Sequence, residues 1–130
     1  MCDISQEVRD ELKKFRFAKN NESSAIILKV DREKQIIIID EHLEDVSVEE
    51  LQEMLPSHQP RFIVYSYKFD HGDRVSYPMC FIFYTPRDSM AILYARSKLL
   101  LQKEADLTRS YEIREMEDFT EEWLKEKLSH

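Results

Sequence analysis

Two isoleucine-rich runs constrain the fold of this chain most strongly. Residues 25–30 read AIILKV and residues 35–40 read QIIIID, so both runs are apolar along almost their whole length. β-Branched residues favour strands, and the polar residues 31–34 between the runs are typical of a hairpin turn. A strand without apolar–polar alternation is usually buried on both faces of its sheet. We therefore expect one sheet with helices on each side.

The remaining segments predict these helices. A first helix is indicated by apolar residues at helical spacing: Ile4, Val8, Leu12 and Phe15. Ser5 lies near its expected N-cap. Residues 47–50 read SVEE, a capping box that predicts a short second helix ending at Pro56. A last helix is expected to begin near Asp118, with Phe119 and Trp123 as its apolar anchors.

Further strands complete the sheet. Long apolar and aromatic strands are predicted from Arg61 to Phe69 and from Val75 to Thr85, followed by a short strand at residues 110–114. Pro78 cannot donate a ladder hydrogen bond, so we expect it at an edge or a bulge. The order of elements predicts an α+β fold, an α/β sandwich around a mixed sheet, in a single domain of residues 1–130.

Composition excludes several function classes. The formal net charge of −7 argues against nucleic acid or an anionic membrane as the main partner. Phosphate-binding loops need several glycines at fixed spacing, and this sequence has one glycine. We therefore expect no nucleotide cofactor. The four histidines are scattered without zinc-type spacing, and we expect no metal. Without a leader or a spanning apolar segment, the chain is expected to be intracellular, with Cys2 and Cys80 as free thiols.

The segment 90–101, MAILYARSKLLL, predicts a helix with two apolar sides. One side is a stripe typical of a core: Met90, Leu93, Tyr94, Ser97, Leu100 and Leu101. The opposite side carries Ile92, Ala95 and Leu99, bordered by Arg96 and Lys103. Either a neighbouring element covers this second strip, or the strip is a docking surface with a basic rim.

The turn between the two long strands is the other chemically suggestive segment. It contains His71, Gly72, Asp73 and Arg74. The expected reading is a solvated tight turn, because a hairpin tip has no pocket that excludes water. A small hydrolase using His71 and Asp73 is the alternative from another function class, and a protein contact is a third interpretation.

Several motifs resemble a known family. LYARSK at 93–98 resembles the signature of the long helix in the actin-depolymerising factor homology domain, the fold of cofilin. More specifically, the chain resembles the glia maturation factor branch through KFRF at 14–17, AIILKV at 25–30, QPRF at 59–62, VYSY at 64–67, RVSYP at 74–78, CFIF at 80–83 and EEWL at 121–124. These motifs stand in the same order and run nearly end to end.

The resemblance implies a fold, a partner and an activity. It implies a five- or six-stranded mixed sheet with helices on both faces. It also implies a non-enzymatic, cytoplasmic regulator of the actin cytoskeleton, a monomer by default, that binds the Arp two/three complex. Glia maturation factors dock their long helix and N-terminal segment into the barbed-end groove of that complex, inhibit branched nucleation and release existing branches.

Carrying the resemblance over residue by residue predicts two surfaces. Ile92 corresponds to a methionine that cofilin-type domains insert into actin. The first surface comprises Cys2, Asp3, Ile4, Ser89, Met90, Ile92, Ala95, Arg96, Lys98 and Leu99. The second, which would contact the first actin subunit of the branch, comprises His71, Gly72, Asp73 and Arg74.

The same comparison predicts which partner is preferred. Ser89 and Ala91 replace basic residues that cofilin carries before its methionine, so binding to actin itself is expected to be weak. A cofilin-like protein that binds and severs filaments is the alternative within this fold. Ser5 is a candidate phosphorylation site, because a dianion there would oppose docking to an acidic partner.

Overall fold

The computed structural model describes residues 3–17, 22–31, 33–34, 36–56, 59–85, 98, 101–103 and 109–128. The strands are β1 Asp3–Ile4, β2 Ser24–Asp31, β3 Ile36–Glu44, β4 Arg61–Ser66, β5 Phe69–Asp70, β6 Val75–Ser76, β7 Met79–Tyr84 and β8 Ser110–Ile113. Six of them form one sheet in the order β1-β3-β2-β4-β7-β8, and β5 pairs with β6 in a small separate hairpin. The edge strands β1 and β8 run parallel to their neighbours, whereas the central pairs are antiparallel. The expected mixed sheet is confirmed.

The sheet is buried on both faces. Strand β4 is buried at every position, and β2 and β7 are nearly so. Alternate residues of these strands enter two separate clusters, which we call core A and core B. Core A comprises Ile4, Val8, Leu12, Phe15, Ile26, Leu28, Val30, Ile37, Phe62, Val64, Phe81, Phe83 and Leu101. Core B includes Ala25, Ile27, Val46, Val48, Leu51, Leu55, Ile63, Tyr65, Tyr67, Cys80, Ile82, Tyr84, Ile113, Phe119, Leu124 and Leu128.

Helices cover each face, with the caps that the sequence predicts. Helix α1 (Gln6–Phe17) covers core A, and the Val8 N–H donates to Ser5 Oγ at 3.2 Å. Helix α2 (Val48–Met54) contributes to core B and has a complete capping box. There the Glu50 N–H donates to Ser47 Oγ at 3.1 Å, and the Ser47 N–H donates to Glu50 Oε1 at 3.2 Å.

Ile4 belongs to a strand rather than to the first helix, where its spacing had placed it. Residues 3–4 pair in parallel with residues 36–37, and the Ser5 N–H donates to the Ile37 carbonyl at 3.3 Å. Pairing with β3 satisfies the backbone at this edge, while the Ile4 side chain stays in core A with those of α1. The apolar spacing was therefore right about burial and wrong about the element.

The two long predicted strands are interrupted. Strand β4 ends at Ser66 and β7 begins only at Met79, because Pro78 has no N–H to donate and lies between β6 and β7. The Pro78 carbonyl accepts from the Tyr67 N–H at 3.0 Å. Between Tyr67 and Pro78 the chain forms the β5–β6 hairpin, which lies outside the main sheet.

The last helix begins later than predicted. Residues Met116–Asp118 form a 3₁₀ turn, and helix α3 spans Glu121–Leu128. Thr120 is its cap, since Thr120 Oγ1 accepts from the Trp123 N–H at 3.1 Å. Phe119 precedes this helix and is buried as expected, Leu124 is fully buried, and Trp123 is half-buried.

Only four residues of the predicted long helix and its continuation are described, namely Lys98 and residues 101–103. All four are helical. Leu101 is fully buried in core A and Lys103 is exposed, which agrees with the predicted core stripe and outer rim. Lys98 was expected to be exposed but is half-buried, because three residues of helix place it only about 60° from Leu101. Residues 86–97, 99 and 100 lie outside the described residues. In the described part of the chain, no helix combines the length and apolarity needed to cross a bilayer.

Replacing Leu101 with Ala tests the inward side of this helix. Removing a fully buried leucine side chain should lower the free energy of unfolding by about 2–5 kcal/mol, because it leaves a cavity in core A. The matched variant Lys103→Ala should change it by less than about 0.5 kcal/mol. Urea unfolding followed by circular dichroism gives both values, and equal stabilities of the two variants would contradict the assigned helix face.

Candidate functional site

The N-terminal segment and the helical residues 98 and 101–103 lie over the same face of the sheet. The side chains of Ile4 and Leu101 both belong to core A. The backbone of Asp3 pairs with Ile36, which fixes residues 3–4 beside β3. Of the first predicted surface, the structure thus describes Asp3, Ile4 and Lys98, with the Ile4 side chain buried. The other members, Cys2, Ser89, Met90, Ile92, Ala95, Arg96 and Leu99, lie outside the described residues.

The β5–β6 hairpin carries the second predicted surface, and its turn is well defined. Gly72 has φ +92°, which only glycine adopts without strain, and all four residues 71–74 are exposed. The His71 N–H donates to the Arg74 carbonyl at 2.8 Å, and the Gly72 N–H donates to Asp70 Oδ1 at 2.8 Å. The predicted tight turn is confirmed.

Exposed apolar side chains accompany this turn. Val75 and Tyr77 are alternate residues of the hairpin, and they are 44% and 37% exposed. Asp73 and Arg74 stand beside them at the tip. The hairpin therefore offers both apolar and charged groups to a partner surface.

His71 is engaged within the hairpin. Its ring stacks on Phe69 with 4.3 Å between ring centroids and 12° between planes, and its Nε2 lies 2.8 Å from Ser76 Oγ. A hydrolase would need this nitrogen for a substrate in a site that excludes water. The exposed tip, with that nitrogen already engaged by Ser76, favours a structural role over a catalytic one.

An aromatic row, which we call the aromatic ladder, joins the hairpin to core B. It consists of Tyr65, Tyr67, Phe69 and His71, with successive centroid distances of 6.0, 5.7 and 4.3 Å. The Tyr65 hydroxyl donates to the Val46 carbonyl at 2.7 Å, and the Tyr67 hydroxyl donates to Glu121 Oε1 at 2.9 Å. The ladder was not predicted, although the sequence has an aromatic ring at every second residue from 65 to 71, a spacing that puts the rings on one side of an extended chain.

Burial and hydrogen bonding shift the ionisation of these groups. Desolvation raises the pKa of the Tyr65 and Tyr67 hydroxyls above their ordinary range. The hydrogen bond from Tyr67, and then that from Lys125, lowers the pKa of Glu121. The Tyr67–Glu121 contact therefore joins a neutral donor to an ionised acceptor, which is stronger than a bond between two neutral groups.

One motif that carries the resemblance has a structural role. Arg61 is buried at the start of β4, and its Nε donates to Asp40 Oδ2 at 3.2 Å. Its other nitrogens donate to the Pro60 carbonyl and to Gln59 Oε1. The buried Arg61 charge of the QPRF motif is thus paired with Asp40 and further satisfied by Gln59 and Pro60.

Other chemical features of the described residues are limited. An open, acidic cavity of about 380 Å³ is lined by Glu117, Asp118, Thr120, Glu122, Trp123 and Glu126, and none of these belongs to the hairpin tip. Within the described ranges, no group of three or more His, Cys, Asp or Glu side chains is arranged to hold a metal ion. Cys80 is a buried free thiol, as predicted.

Comparison with known proteins identifies the family. Residues 1–129 match the family model described as cofilin/tropomyosin-type actin-binding protein. The glia maturation factor of Drosophila melanogaster is 61% identical over 98% of this chain and 96% of that protein. The chain belongs to the glia maturation factor family. The glia maturation factor beta of Homo sapiens is 50% identical over 98% of this chain and 93% of its own length.

Solved structures confirm the fold. The solution structure of glia maturation factor from Caenorhabditis elegans superposes with a TM-score of 0.85 at 41% identity, covering 98% of this chain and 95% of that one. The crystal structure of Streptomyces griseoflavus cofilin gives 0.84 at 17% identity, covering 97% and 96%, which supports the shared fold alone. The predicted actin-depolymerising factor homology fold is therefore confirmed.

Replacing Tyr67 with Phe tests the hydrogen bond between the Tyr67 hydroxyl and the ionised Glu121 carboxylate. Glu121 has a folded-state pKa below its ordinary value of 4.5, so the bond stabilises the fold above about pH 4.5. That contribution is lost as pH falls through the lowered pKa. Tyr67→Phe should therefore be less stable than the wild type at pH 7, by about 1–2 kcal/mol because Glu121 is partly exposed, and this difference should shrink at pH 3.

Tyr111→Phe is the matched control. The Tyr111 hydroxyl donates to the Lys127 carbonyl at 3.3 Å, an acceptor that does not titrate. Urea unfolding of both variants at the two pH values measures the differences. A Tyr67→Phe difference that stays constant with pH, as expected for the control, would contradict this assignment.

The reactivity of Cys80 tests the closure of core B. Burial raises the pKa of its thiol to about 12, and only the thiolate reacts readily. In a Cys2→Ser variant, where Cys80 is the remaining cysteine, a thiol reagent at pH 8 should label the protein only after urea unfolding. Rapid labelling in native buffer would show that core B opens easily.

Proposed function

We propose that this chain is a non-enzymatic, single-domain regulator that binds the Arp two/three complex, inhibits branched actin nucleation and promotes release of existing branches. Membership of the glia maturation factor family carries the proposal, with 61% identity to the Drosophila relative over nearly the whole chain. The family model adds the actin-binding description, which makes actin-related proteins the natural class of partner. The proposed location is the cytoplasm, at the actin cytoskeleton.

The long helix is the proposed main contact with the complex. Leu101 is buried and Lys103 is exposed, which defines the inward and outward sides of this helix. At about 100° per residue, the sequence pattern puts Ile92 and Leu99 on the side of Lys103. These side chains, with Ala95, would enter an apolar groove of the partner.

The basic side chains of this helix are proposed to contact the rim of that groove. Arg96 and Lys98 would reach acidic side chains or carbonyl groups there, with Ser89 and Met90 at the start of the contact. Such cations stand out on a chain whose formal net charge is −7. Local charge of this kind sets orientation and specificity more than it sets the affinity.

The N-terminal segment is proposed to extend this surface. Ile4 and Leu101 share core A, so strand β1 and the helix lie over one face of the sheet. Parallel pairing with β3 holds Asp3 in place. Cys2 and Asp3 would contact the complex beside the helix, with the buried Ile4 side chain anchoring them.

The hairpin tip, residues 71–74, is proposed to contact the first actin subunit of the daughter filament. Phe69 packs against core B, on the opposite face of the sheet from Leu101 in core A. The two proposed surfaces are thus attached to different faces and could engage two proteins at once. Binding would favour an arrangement of the branch junction in which the daughter filament is held poorly.

A cofilin-like protein that binds and severs filaments is the second candidate, and the actin-binding description of the family model favours it. Ser89 and Ala91, at positions where cofilins are basic, disfavour strong binding to actin. Co-sedimentation with bare filaments discriminates the two, since the first proposal expects most of the protein to stay in the supernatant.

Direct binding to the complex and to actin monomers, measured side by side, tests the proposed function. The wild type should prefer the complex. Reversing both cations in Arg96→Glu/Lys98→Glu should weaken binding to the complex by about ten-fold or more, which corresponds to about 1.4 kcal/mol. The double variant should stay folded, with the thermal midpoint lowered by a few degrees at most, because Lys98 is half-buried and keeps part of its contact with solvent.

The matched control reverses two exposed lysines elsewhere, Lys34→Glu/Lys127→Glu, with the same change in net charge. Its affinity for the complex should stay within about two-fold of the wild type. Equal or tighter binding of the wild type to actin would reject the proposed partner. Equal losses in both double variants would show that net charge, rather than the helix surface, determines binding.

A further inference from the structure

We propose that His71 is a positioning residue: it fixes the β5–β6 hairpin so that Asp73 and Arg74 are presented in one orientation, and branch release depends on that orientation. The inference rests on the proposed function of the hairpin tip as the second contact. Within the tip, His71 would hold the hairpin in shape, whereas Asp73 and Arg74 would contact the partner.

The hairpin needs such a residue because its own pairing is minimal. Strands β5 and β6 are two residues long, with the pairs Phe69↔Ser76 and Asp70↔Val75. An isolated two-stranded ribbon is marginally stable in water. Contacts between side chains across the two strands therefore decide how well the tip is ordered.

His71 makes contacts to both strands at once. Its ring stacks on Phe69 of β5 at 4.3 Å, and its Nε2 lies 2.8 Å from Ser76 Oγ of β6. Phe69 and Ser76 are themselves directly paired. The imidazole therefore closes one side of the ribbon as a cross-strand clamp.

The aromatic ladder extends this clamp to the main sheet. Tyr65 is fully buried, Tyr67 is 5% exposed, Phe69 is half-buried and His71 is exposed, so the row runs from core B to the tip. Tyr67 is also tied to helix α3 through Glu121. The aromatic ladder thus connects the tip to the sheet and to α3, and His71 is its last ring. These contacts set the orientation of the tip relative to the sheet.

Asp73 and Arg74 are the groups that this arrangement presents. Both are exposed, and they follow the glycine whose positive φ makes the turn. Backbone bonds shape the turn itself, because the His71 N–H donates to the Arg74 carbonyl. An alanine at position 71 keeps this donor and removes only the ring, which isolates the contribution of the side chain.

Three variants and a control test the proposal. His71→Ala removes both ring contacts, whereas His71→Phe keeps an aromatic ring to stack on Phe69. Asp73→Ala/Arg74→Ala removes the presented charges and leaves His71 in place. Lys34→Ala, at the exposed turn between β2 and β3, is the control. For each protein we would measure the thermal midpoint, affinity for the Arp two/three complex, and the rate of branch release at saturating protein.

A positioning role predicts a specific pattern. His71→Ala should bind the complex within about two-fold of the wild type and release branches roughly three- to ten-fold more slowly, the loss expected from one stacking contact and one hydrogen bond. His71→Phe should recover most of the rate. Asp73→Ala/Arg74→Ala should be slow, and Lys34→Ala should match the wild type. Nuclear magnetic resonance order parameters of residues 72–74 should fall in His71→Ala and recover in His71→Phe.

The outcomes separate the inference from the proposed function. A wild type that binds the complex but releases no branches, or does not bind it, overturns the proposed function and the inference with it. An active wild type with an equally active His71→Ala variant overturns the inference alone. Slow release by His71→Ala with unchanged order of residues 72–74, or without rescue by His71→Phe, also overturns it, because His71 would then act as a contact residue.

Discussion

The two-sided burial of strands β2, β4 and β7 is the constraint on which the rest of this structure depends. Because these strands are apolar on both faces, each face must be covered, and covering them creates cores A and B. Ile4, α1 and Leu101 close one face, whereas α2, Phe119 and α3 close the other. Strand β1 and Leu101 thus belong to one layer and Phe69 of the hairpin to the other, so the packing of the sheet sets where these described residues lie.

This division gives the molecule two distinct attachment points. The N-terminal strand and the helical residues around Leu101 lie over core A, while the β5–β6 hairpin is joined to core B through the aromatic ladder. A sheet covered on both faces is stiff, since its interior is close-packed. The two proposed contacts therefore belong to opposite faces of one stiff sheet, which suits a protein proposed to act at a junction between two partners.

Sequence predicts the local features of this fold well and the long-range ones poorly. The β2–β3 hairpin and the Ser47 capping box follow from neighbouring residues, and both are confirmed. Ile4 was assigned to a helix because its strand exists only through pairing with Ile37, far away in sequence. The break between β4 and β7 was missed because Tyr67 and Phe69 continue the strand pattern after the chain has left the sheet. The role of His71 depends on contacts to Phe69 and Ser76 across a turn, so its position in the sequence suggested only an exposed tip.

The central proposal is that the side of the long helix bearing Ile92 docks on the Arp two/three complex. It combines the family assignment with the helix face inferred from Leu101 and Lys103. Site-specific photo-crosslinking from position 92, with position 34 as the reference, tests it most directly. On branched actin networks we expect crosslinks from position 92 to an actin-related subunit of the complex and none from position 34. Crosslinks from position 92 to actin alone, or equal yields from both positions, would contradict it.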